Sequence, residues 1–203
     1  MARLRARDAS EVPFPVTALF NPVNQGYGAT KRLVFTVVLL HGDGQYAPER
    51  LPDLLRPLLA GEVNAVFGSR MMLPGNACRG GMPLYKFLGN RMLTGIQNRL
   101  LKTGLSEFHS GYRAYSVKAL AGIPFDRNTN DFHFDMEIII QLVRGGLHIK
   151  EVPIPTYYGD GVCHVNGLKY AWDVVRVTAI SRAQDLGILY ERKYDLAPPG
   201  SQY

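Results

Sequence analysis

An apolar run that leads into a glycine-rich turn is the feature that most constrains the fold of this chain. Residues 33–40 (LVFTVVLL) are rich in Val, Leu and Phe, and residues 41–46 (HGDGQY) follow them directly. A short apolar run of this kind predicts a strand buried on both faces, as in a parallel sheet. Because open α/β sheets bind ligands just beyond the carboxyl ends of their strands, Asp43 lies where such a sheet carries its chemistry.

The turn offers oxygen ligands to a hard cation. The carboxylate of Asp43 and the amide oxygen of Gln45 are donors of the kind that Mg²⁺ and Mn²⁺ accept, and Gly42 and Gly44 let a ligand approach the backbone. Gly-Asp-Gly is also an ordinary turn, so the motif alone leaves a metal site and a plain turn open. An EF-hand does not fit, because a strand precedes the turn and His41 would be its first position.

Helix and strand patterns alternate along the rest of the chain. The predicted helices cover residues 48–59, 83–102, 116–121, 134–144 and 168–186. The further predicted strands cover residues 63–67, 112–115 and 147–154. This alternation predicts an α/β fold.

Length and composition indicate a folded domain. The 203 residues are enough for one sizeable core, and 46% hydrophobic with 20% charged residues is typical of a soluble protein. No apolar stretch approaches the roughly 20 residues of a membrane-spanning helix, and no apolar core follows the N-terminal arginines as a signal peptide requires. Cys78 and Cys163 form no paired motif, which favours a reducing compartment and no metal or catalytic role for either thiol.

The positive charge of the chain predicts an anionic partner. The net charge is +6 and the pI is about 9.4, which fits nucleic acid, acidic lipid surfaces or phosphorylated small molecules. The basic residues are dispersed and form no nucleic-acid-binding motif, so we expect no nucleic-acid partner.

Charged residues follow the predicted strands at positions where they can meet a ligand. Arg70 comes after the strand at 63–67, and its planar guanidinium suits a diphosphate, with a surface ion pair as the alternative. Glu107 lies in a turn, where it can act as a general base or orient a nucleophile, with a solvated turn carboxylate as the alternative. Arg91 lies on the predicted helix 83–102, where solvent exposure is the default.

Six short segments resemble family 2 inverting glycosyltransferases, especially the branch of dolichol-phosphate and polyprenyl-phosphate sugar synthases. They are residues 24–28 (NQGYG), 40–46 (LHGDGQY), 68–70 (GSR), 110–115 (SGYRAY), 134–138 (FDMEI) and 151–155 (EVPIP). Their joint order and spacing carry the resemblance, since each motif alone is weak. The resemblance implies a GT-A fold, with a Rossmann-like, mostly parallel sheet and flanking helices.

The extent of the resemblance divides the chain. It covers about residues 21–190, which we interpret as a partial glycosyltransferase domain, with a loose leader at 1–20 and a C-terminal tail at 191–203. The family's first strand, with the residues that hold the base and ribose, is not recognisable in residues 1–20. We therefore expect a domain truncated at its N-terminus.

The resemblance also implies roles for individual residues. Asp43 and Gln45 align with the ligands of a divalent cation, Mg²⁺ or Mn²⁺, that bridges the donor diphosphate, and His41 replaces the first acidic residue of that motif. Glu107 occupies the catalytic Asp position with one methylene more. The implied substrate contacts are His41, Arg70, Arg91, Arg113, Tyr158 and Asn166.

The implied activity is inverting, metal-dependent transfer of a sugar from a nucleoside-diphosphate sugar to polyprenyl or dolichyl phosphate, or to a hydroxyl of a glycan, in cell-envelope glycan biosynthesis. The alternative is a catalytically impaired fragment or a non-catalytic module that binds an anionic ligand or partner. A lipid-phosphate acceptor is already anionic and needs a general base less than a hydroxyl does.

We expect a cytoplasmic protein, with peripheral contact at the inner face of the membrane as a further hypothesis. The last predicted helix carries basic residues (Lys169, Arg176 and Arg182) beside an apolar side. Packing of that side on the domain is the favoured alternative; its residues are Trp172, Val175, Ala179 and Leu186.

Overall fold

The computed structural model describes residues 36–40, 45–158 and 167–196. Within these ranges the strands are β1 (Thr36–Leu39), β2 (Ala65–Ser69), β3 (Arg113–Ser116) and β4 (Ile149–Pro153). The α-helices are α1 (Leu51–Leu59), α2 (Asn76–Arg79), α3 (Leu84–Leu101), α4 (Val117–Ala121), α5 (Phe134–Arg144) and α6 (Gly167–Asp185). Short 3₁₀ helices cover Pro48–Arg50, Phe125–Arg127 and Arg192–Tyr194. The predicted alternation of helices and strands is confirmed.

The described strands form one mixed sheet in the order β1-β3-β2-β4. β2 pairs parallel with β4, whereas β3 pairs antiparallel with both β1 and β2. β1, β2 and β4 therefore point the same way, and β3 alone opposes them. The carboxyl ends of β1, β2 and β4 thus lie at one edge of the sheet, where α/β proteins bind ligands.

Both faces of the sheet are covered, because side chains alternate along each buried strand. Val66 on β2 packs on one face with Leu54 of α1. Phe67, the next residue, packs on the other face in a cluster with Ile139 of α5 and Val174 of α6. The sheet therefore lies between α1 on one side and α5 and α6 on the other.

Gly68 on β2 leaves room for the side chain of Ile154, the residue that follows β4. A Cβ atom built on Gly68 would lie 2.8 Å from Cδ1 of Ile154, whose side chain is fully buried. The glycine in this motif is therefore explained by packing directly beneath the edge that carries Arg70.

The described part of the tail, residues 191–196, packs on α5. Tyr194 is completely buried, and Nε of Arg144 donates to its carbonyl oxygen at 2.7 Å. Nζ of Lys193 lies 2.7 Å from Oε1 of the buried Glu137. The amide of Gln141 donates to the carbonyl oxygen of Lys193 at 3.0 Å. These contacts make the segment part of the packed domain.

α6 buries a different side from the one that its sequence suggested. Its buried residues are Val174, Val177, Thr178 and Ser181. Trp172, Ala179 and Leu186 are exposed, and Val175 is half-buried. The interpretation that all four pack on the domain is therefore wrong, because α3 and α5 contact the opposite side of the helix. Among the described helices, none is both long and apolar enough to cross a membrane.

Candidate active site

Three segments that follow strands meet at the carboxyl edge of the sheet. Tyr46, after β1, forms an isolated bridge with Thr156, after β4. The backbone N–H of Tyr157 donates to the carbonyl oxygen of Gln45 at 3.3 Å. Arg70 follows β2 directly, and its guanidinium carbon lies 5.8 Å from the centre of the Tyr46 ring. The structure thus brings Arg70, Gln45 and the segment after β4 to one place, as the strand pattern predicted.

Arg70 and Glu107 form a buried ion pair at this edge. Their side chains are 5% and 0% exposed. Nε of Arg70 donates to Oε1 of Glu107 at 2.9 Å, and the backbone N–H of Arg70 donates to Oε2 at 2.7 Å. Nη2 of Arg70 also donates to Oε1. Oε1 accepts a further hydrogen bond from the Asn90 side-chain amide at 2.7 Å. Both oxygens of the carboxylate are therefore engaged.

The ion pair keeps both groups charged. Burial alone would raise the pKa of Glu107, but the positive charge of Arg70 and the hydrogen bonds from Arg70 and Asn90 hold it below its usual range. Burial alone would lower the pKa of Arg70, and the charge of Glu107 reverses that effect. Glu107 is consequently a carboxylate at neutral pH that cannot easily take up a proton.

Tyr158 connects Arg70 to a second cation. Nη1 of Arg70 donates to the Tyr158 hydroxyl oxygen at 3.1 Å. Nζ of Lys86 lies 5.3 Å from the centre of the Tyr158 ring, within the range of a cation–π contact. Lys86 and Asn90 are four residues apart on α3 and so reach the site from the same side of the helix. Sequence reasoning missed both Lys86 and Asn90, although their spacing of four residues on a predicted helix was available as a signal.

A carboxylate on β4 holds the turn that presents Glu107. Oε2 of Glu151 accepts from the backbone N–H of Ser106 at 2.7 Å. Oε1 accepts from the Ser106 hydroxyl at 2.8 Å and from the backbone N–H of Glu107 at 3.1 Å. The Ser69 and Ser106 hydroxyl oxygens lie 2.6 Å apart, which connects the turn to the end of β2. Burial raises the pKa of Glu151 despite these hydrogen bonds. The sequence marked Glu151 only as part of a motif.

Arg113 is a buried clamp beneath the site. Its side chain donates to the carbonyl oxygens of Ser110 and Phe108, both at 2.7 Å, and of Asp135 at 3.1 Å. Its Nη1 lies 3.8 Å from the Asp135 carboxylate. These contacts use the guanidinium to tie the turn at 108–111 to the first turn of α5. The prediction that Arg113 contacts substrate stays a prediction.

His109 is neutral at physiological pH. Its Nδ1 lies 3.0 Å from the Tyr170 hydroxyl, and its buried Nε2 has no hydrogen-bond partner among the described residues. Burial, aided by the charges of Arg113 and Arg70 and opposed by Glu107, lowers the pKa of His109 to about 4. The site therefore contains an uncharged imidazole that feels the charges of both arginines.

The other predicted site residues are less closely tied to this cluster. Arg91 lies on the exposed side of α3, 5.8 Å from the centre of the Phe87 ring, while its neighbour Asn90 faces Glu107. His41, Asp43 and Asn166 lie outside the described residues.

The donor chemistry of Asp43 and Gln45 fits Mg²⁺ or Mn²⁺, because both side chains offer oxygen ligands. The structure places Gln45 past the end of β1, half-buried beside the segment after β4. Within the described ranges, His, Cys, Asp and Glu side chains form no group of three or more that could hold a metal ion.

Comparison with known proteins relates the chain to glycosyltransferases. A low-salt glycan biosynthesis hexosyltransferase of Haloferax volcanii is 29% identical over 170 residues, or 80% of this chain and 40% of that protein. A UDP-N-acetylglucosamine–dolichyl-phosphate N-acetylglucosaminyltransferase of Methanococcus voltae is 31% identical over 123 residues, or 61% of this chain and 48% of that protein. A polyprenol monophosphomannose synthase of Mycolicibacterium smegmatis is 29% identical over 119 residues, or 58% of this chain and 44% of that protein. The chain thus spans about half or less of these relatives' length, and no family model matches it.

The fold is shared with a solved glycosyltransferase. Glucosyl-3-phosphoglycerate synthase from Mycobacterium tuberculosis, in complex with Mn²⁺, UDP-glucose and glycerol 3-phosphate, matches with a TM-score of 0.52 and 20% identity over 79% of this chain and 52% of that chain. At this identity the likeness shows the fold alone. It confirms the predicted GT-A α/β class.

The chain is therefore a homologue of glycosyltransferases by sequence, and it has a GT-A fold. More narrowly, its named homologues include dolichyl-phosphate and polyprenol-phosphate sugar transferases, so the resemblance predicted from the sequence motifs is confirmed.

Proposed function

We propose that this chain is the GT-A part of a glycosyltransferase that moves a sugar from a nucleoside-diphosphate sugar to polyprenyl or dolichyl phosphate. The observation that carries the proposal is Arg70, a permanently charged guanidinium held at the carboxyl edge of the sheet by Glu107 and Tyr158. A cation fixed in place before the ligand arrives stabilises phosphate oxygens without reorganisation at the moment of reaction. Lys86 adds a second, more flexible cation beside Tyr158.

The state of Glu107 favours a phosphate acceptor over a hydroxyl. A general base needs an oxygen that can reach the proton and a pKa near the operating pH. Both oxygens of Glu107 accept hydrogen bonds within the protein, and its pKa lies below the usual range. An anionic phosphate oxygen needs no base to attack the anomeric carbon. We therefore assign Glu107 the role of positioning Arg70.

The proposed chemistry is a direct displacement. An oxygen of the acceptor phosphate attacks the anomeric carbon of the sugar, the bond from that carbon to the donor diphosphate breaks, and the configuration inverts. Arg70 and Lys86 neutralise charge on phosphate oxygens during this step. Asp43 and Gln45 would hold Mg²⁺ or Mn²⁺, which when bound neutralises the leaving diphosphate. The solved relative that contains both Mn²⁺ and UDP-glucose supports a divalent cation.

We further propose that the protein works at the cytoplasmic face of a membrane. A water-soluble nucleotide sugar and a lipid-linked phosphate can meet only at a membrane surface. Basic character suits it, because the cytoplasmic leaflet carries anionic lipids and the chain has a net charge of +6.

A transfer assay tests this proposal. The purified chain is incubated with radiolabelled UDP-glucose, UDP-N-acetylglucosamine or GDP-mannose, a short polyprenyl phosphate and Mn²⁺ or Mg²⁺, and label is counted in the lipid extract. We expect lipid-linked sugar of inverted configuration, lost on adding EDTA and reduced at least about 100-fold in Arg70→Gln. Arg56→Gln is the matched control, because Arg56 is 77% exposed on α1.

Two outcomes would contradict the proposal. Donor binding by a folded chain that transfers no sugar to any polyprenyl phosphate would favour the non-catalytic module. Transfer to a glycan hydroxyl, with a rate that depends on Glu107 in the manner of a base, would overturn the assignment of the acceptor and of Glu107.

A further inference from the structure

The outer side of α3 carries large apolar side chains that no other part of the described structure covers. Leu84, Leu88 and Met92 are spaced four residues apart and are 66%, 57% and 63% exposed. Tyr85 beside them is 72% exposed. Residues at this spacing form one stripe along a helix. The opposite side of α3 is buried and includes polar residues. The apolar stripe therefore lies on the exposed side, which is the reverse of an ordinary amphipathic surface helix.

The charge on α3 is of one sign. The helix contains Lys86, Arg91 and Arg99 and no Asp or Glu. Arg91 and Arg99 are exposed. Arg91 lies three residues after Leu88 and Arg99 lies seven residues after Met92, so both are on the side of the apolar stripe. We call this surface, made of the four apolar residues with Arg91 and Arg99, the outer α3 face.

The neighbouring helix also exposes apolar and basic residues, although it contains Asp173 and Asp185 as well. α6 packs beside α3, and its Leu168 and Trp172 are 86% and 68% exposed. Lys169, between Leu168 and Trp172 in the chain, and Arg176, four residues after Trp172, are both exposed. Tryptophan with basic residues is typical of the boundary between lipid headgroups and acyl chains.

We propose that the outer α3 face docks on an anionic lipid surface. Its apolar side chains would enter the boundary between headgroups and acyl chains, and its arginines would contact lipid phosphates. An anionic lipid surface is the occupant that the charge favours, because Arg91 and Arg99 bring positive charge to the stripe and no Asp or Glu on α3 offsets it. The uniform positive charge of the helix matches an anionic occupant.

Docking through this face would hold the candidate active site one helix diameter, roughly 10 Å, above the lipid boundary. Lys86 and Asn90 extend from the inner side of the same helix to Tyr158 and Glu107. The docking proposal stands without the proposed transfer, because lipid binding is measured with neither donor nor acceptor present.

Vesicle flotation of the full chain tests the proposal. We use phosphatidylcholine vesicles with and without 30 mol% phosphatidylglycerol, an amount chosen to give about the charge density of a cytoplasmic leaflet. The variant is Leu88→Gln with Met92→Gln, and the matched control is Leu59→Gln with Phe132→Gln, whose side chains are 55% and 57% exposed elsewhere. Circular dichroism establishes that every variant is folded.

We expect binding to the anionic vesicles that the α3 variant weakens at least about tenfold and that the control leaves unchanged. Arg99→Gln should weaken it about fivefold and flatten its salt dependence. The proposal is overturned if the folded chain does not bind anionic vesicles, or if it binds them equally in both double variants. It is equally overturned if light scattering shows a dimer that the α3 variant dissociates, since a second copy would then cover this face. In each case the outcome of the transfer assay stands independently.

Discussion

The buried ion pair between Arg70 and Glu107 makes a strong prediction for the variant Glu107→Gln. The substitution preserves the shape of the side chain but removes its charge. One oxygen can still accept hydrogen bonds, whereas the new amide group faces donors: the Arg70 backbone N–H, or the Arg70 guanidinium and the Asn90 amide. The variant therefore leaves a buried cation without its counter-ion and forces two donors together.

Breaking a buried pair by changing one partner costs about 3–5 kcal/mol. Arg70 keeps neutral acceptors at the Tyr158 hydroxyl and the His109 carbonyl, both at 3.1 Å, which favours the lower end of that range. We expect a loss of about 3 kcal/mol, a large part of the roughly 5–15 kcal/mol that stabilises a domain. With a urea m-value of about 2–3 kcal/mol/M, the midpoint of unfolding falls by about 1–1.5 M.

The assay is urea unfolding followed by circular dichroism at pH 7. Glu62→Gln is the matched control, because Glu62 pairs with Lys150 at the surface with 57% of its side chain exposed. We expect this control to lose less than about 1 kcal/mol. Similar losses in the two variants would refute the conclusion that the Arg70–Glu107 pair is buried and structurally coupled.

The pH dependence gives a second readout of the same variant. The pKa of Glu107 is lowered in the folded state, so its contribution to stability is present above the unfolded pKa, near 4.5, and is lost as the pH falls through the lower folded value. The stability difference between wild type and Glu107→Gln should therefore be constant near neutral pH and shrink below about pH 4.5. A difference that grows in acid would contradict the lowered pKa.

Three further predictions concern other parts of the structure. Gly80→Ala should destabilise the segment after β4 and weaken donor binding in calorimetry, because its Cβ would lie 2.1 Å from the Thr156 carbonyl oxygen. Gly89→Ala, with open space around it on α3, should instead stabilise by up to about 1 kcal/mol; equal effects of the two would contradict this packing. Tyr194→Ala should cost about 3–5 kcal/mol in urea unfolding because the side chain is fully buried, and a loss under 1 kcal/mol would mean that the tail does not pack on α5. The imidazole NMR signals of His109 should not titrate between pH 7.5 and 5.5, since its pKa is about 4; a titration near 6.5 would show an exposed ring.

Much of the fold was predictable because local patterns carry it. The strands at 63–67 and 147–154 were read from short apolar runs, and the structure has strands at Ala65–Ser69 and Ile149–Pro153. The helix predicted at 83–102 is α3, Leu84–Leu101. The direction of β3 was not predictable, because an isolated strand pattern contains no information on its neighbours.

Within the site, the place of a residue along the chain was easier to predict than the residue that it contacts. Arg70 was expected at the end of a strand, and the structure places it there. That its guanidinium is paired with Glu107, 37 residues away, could not be read from either turn. The hypotheses of a surface ion pair for Arg70 and of a solvated carboxylate for Glu107 are both wrong, because burial removes water from both groups.

The sequence by itself determined the alternation of elements, the polar residues that follow each strand and the likeness to glycosyltransferases, since each of these depends on residues that are near neighbours or on the order of motifs. Only the tertiary structure decided which side of α6 is buried, that Arg113 serves as an internal clamp, and that Lys86 joins Arg70 at Tyr158. These features depend on contacts between segments far apart in the chain. Periodicity shows that a helix has an apolar side, whereas packing against other helices decides whether that side is covered.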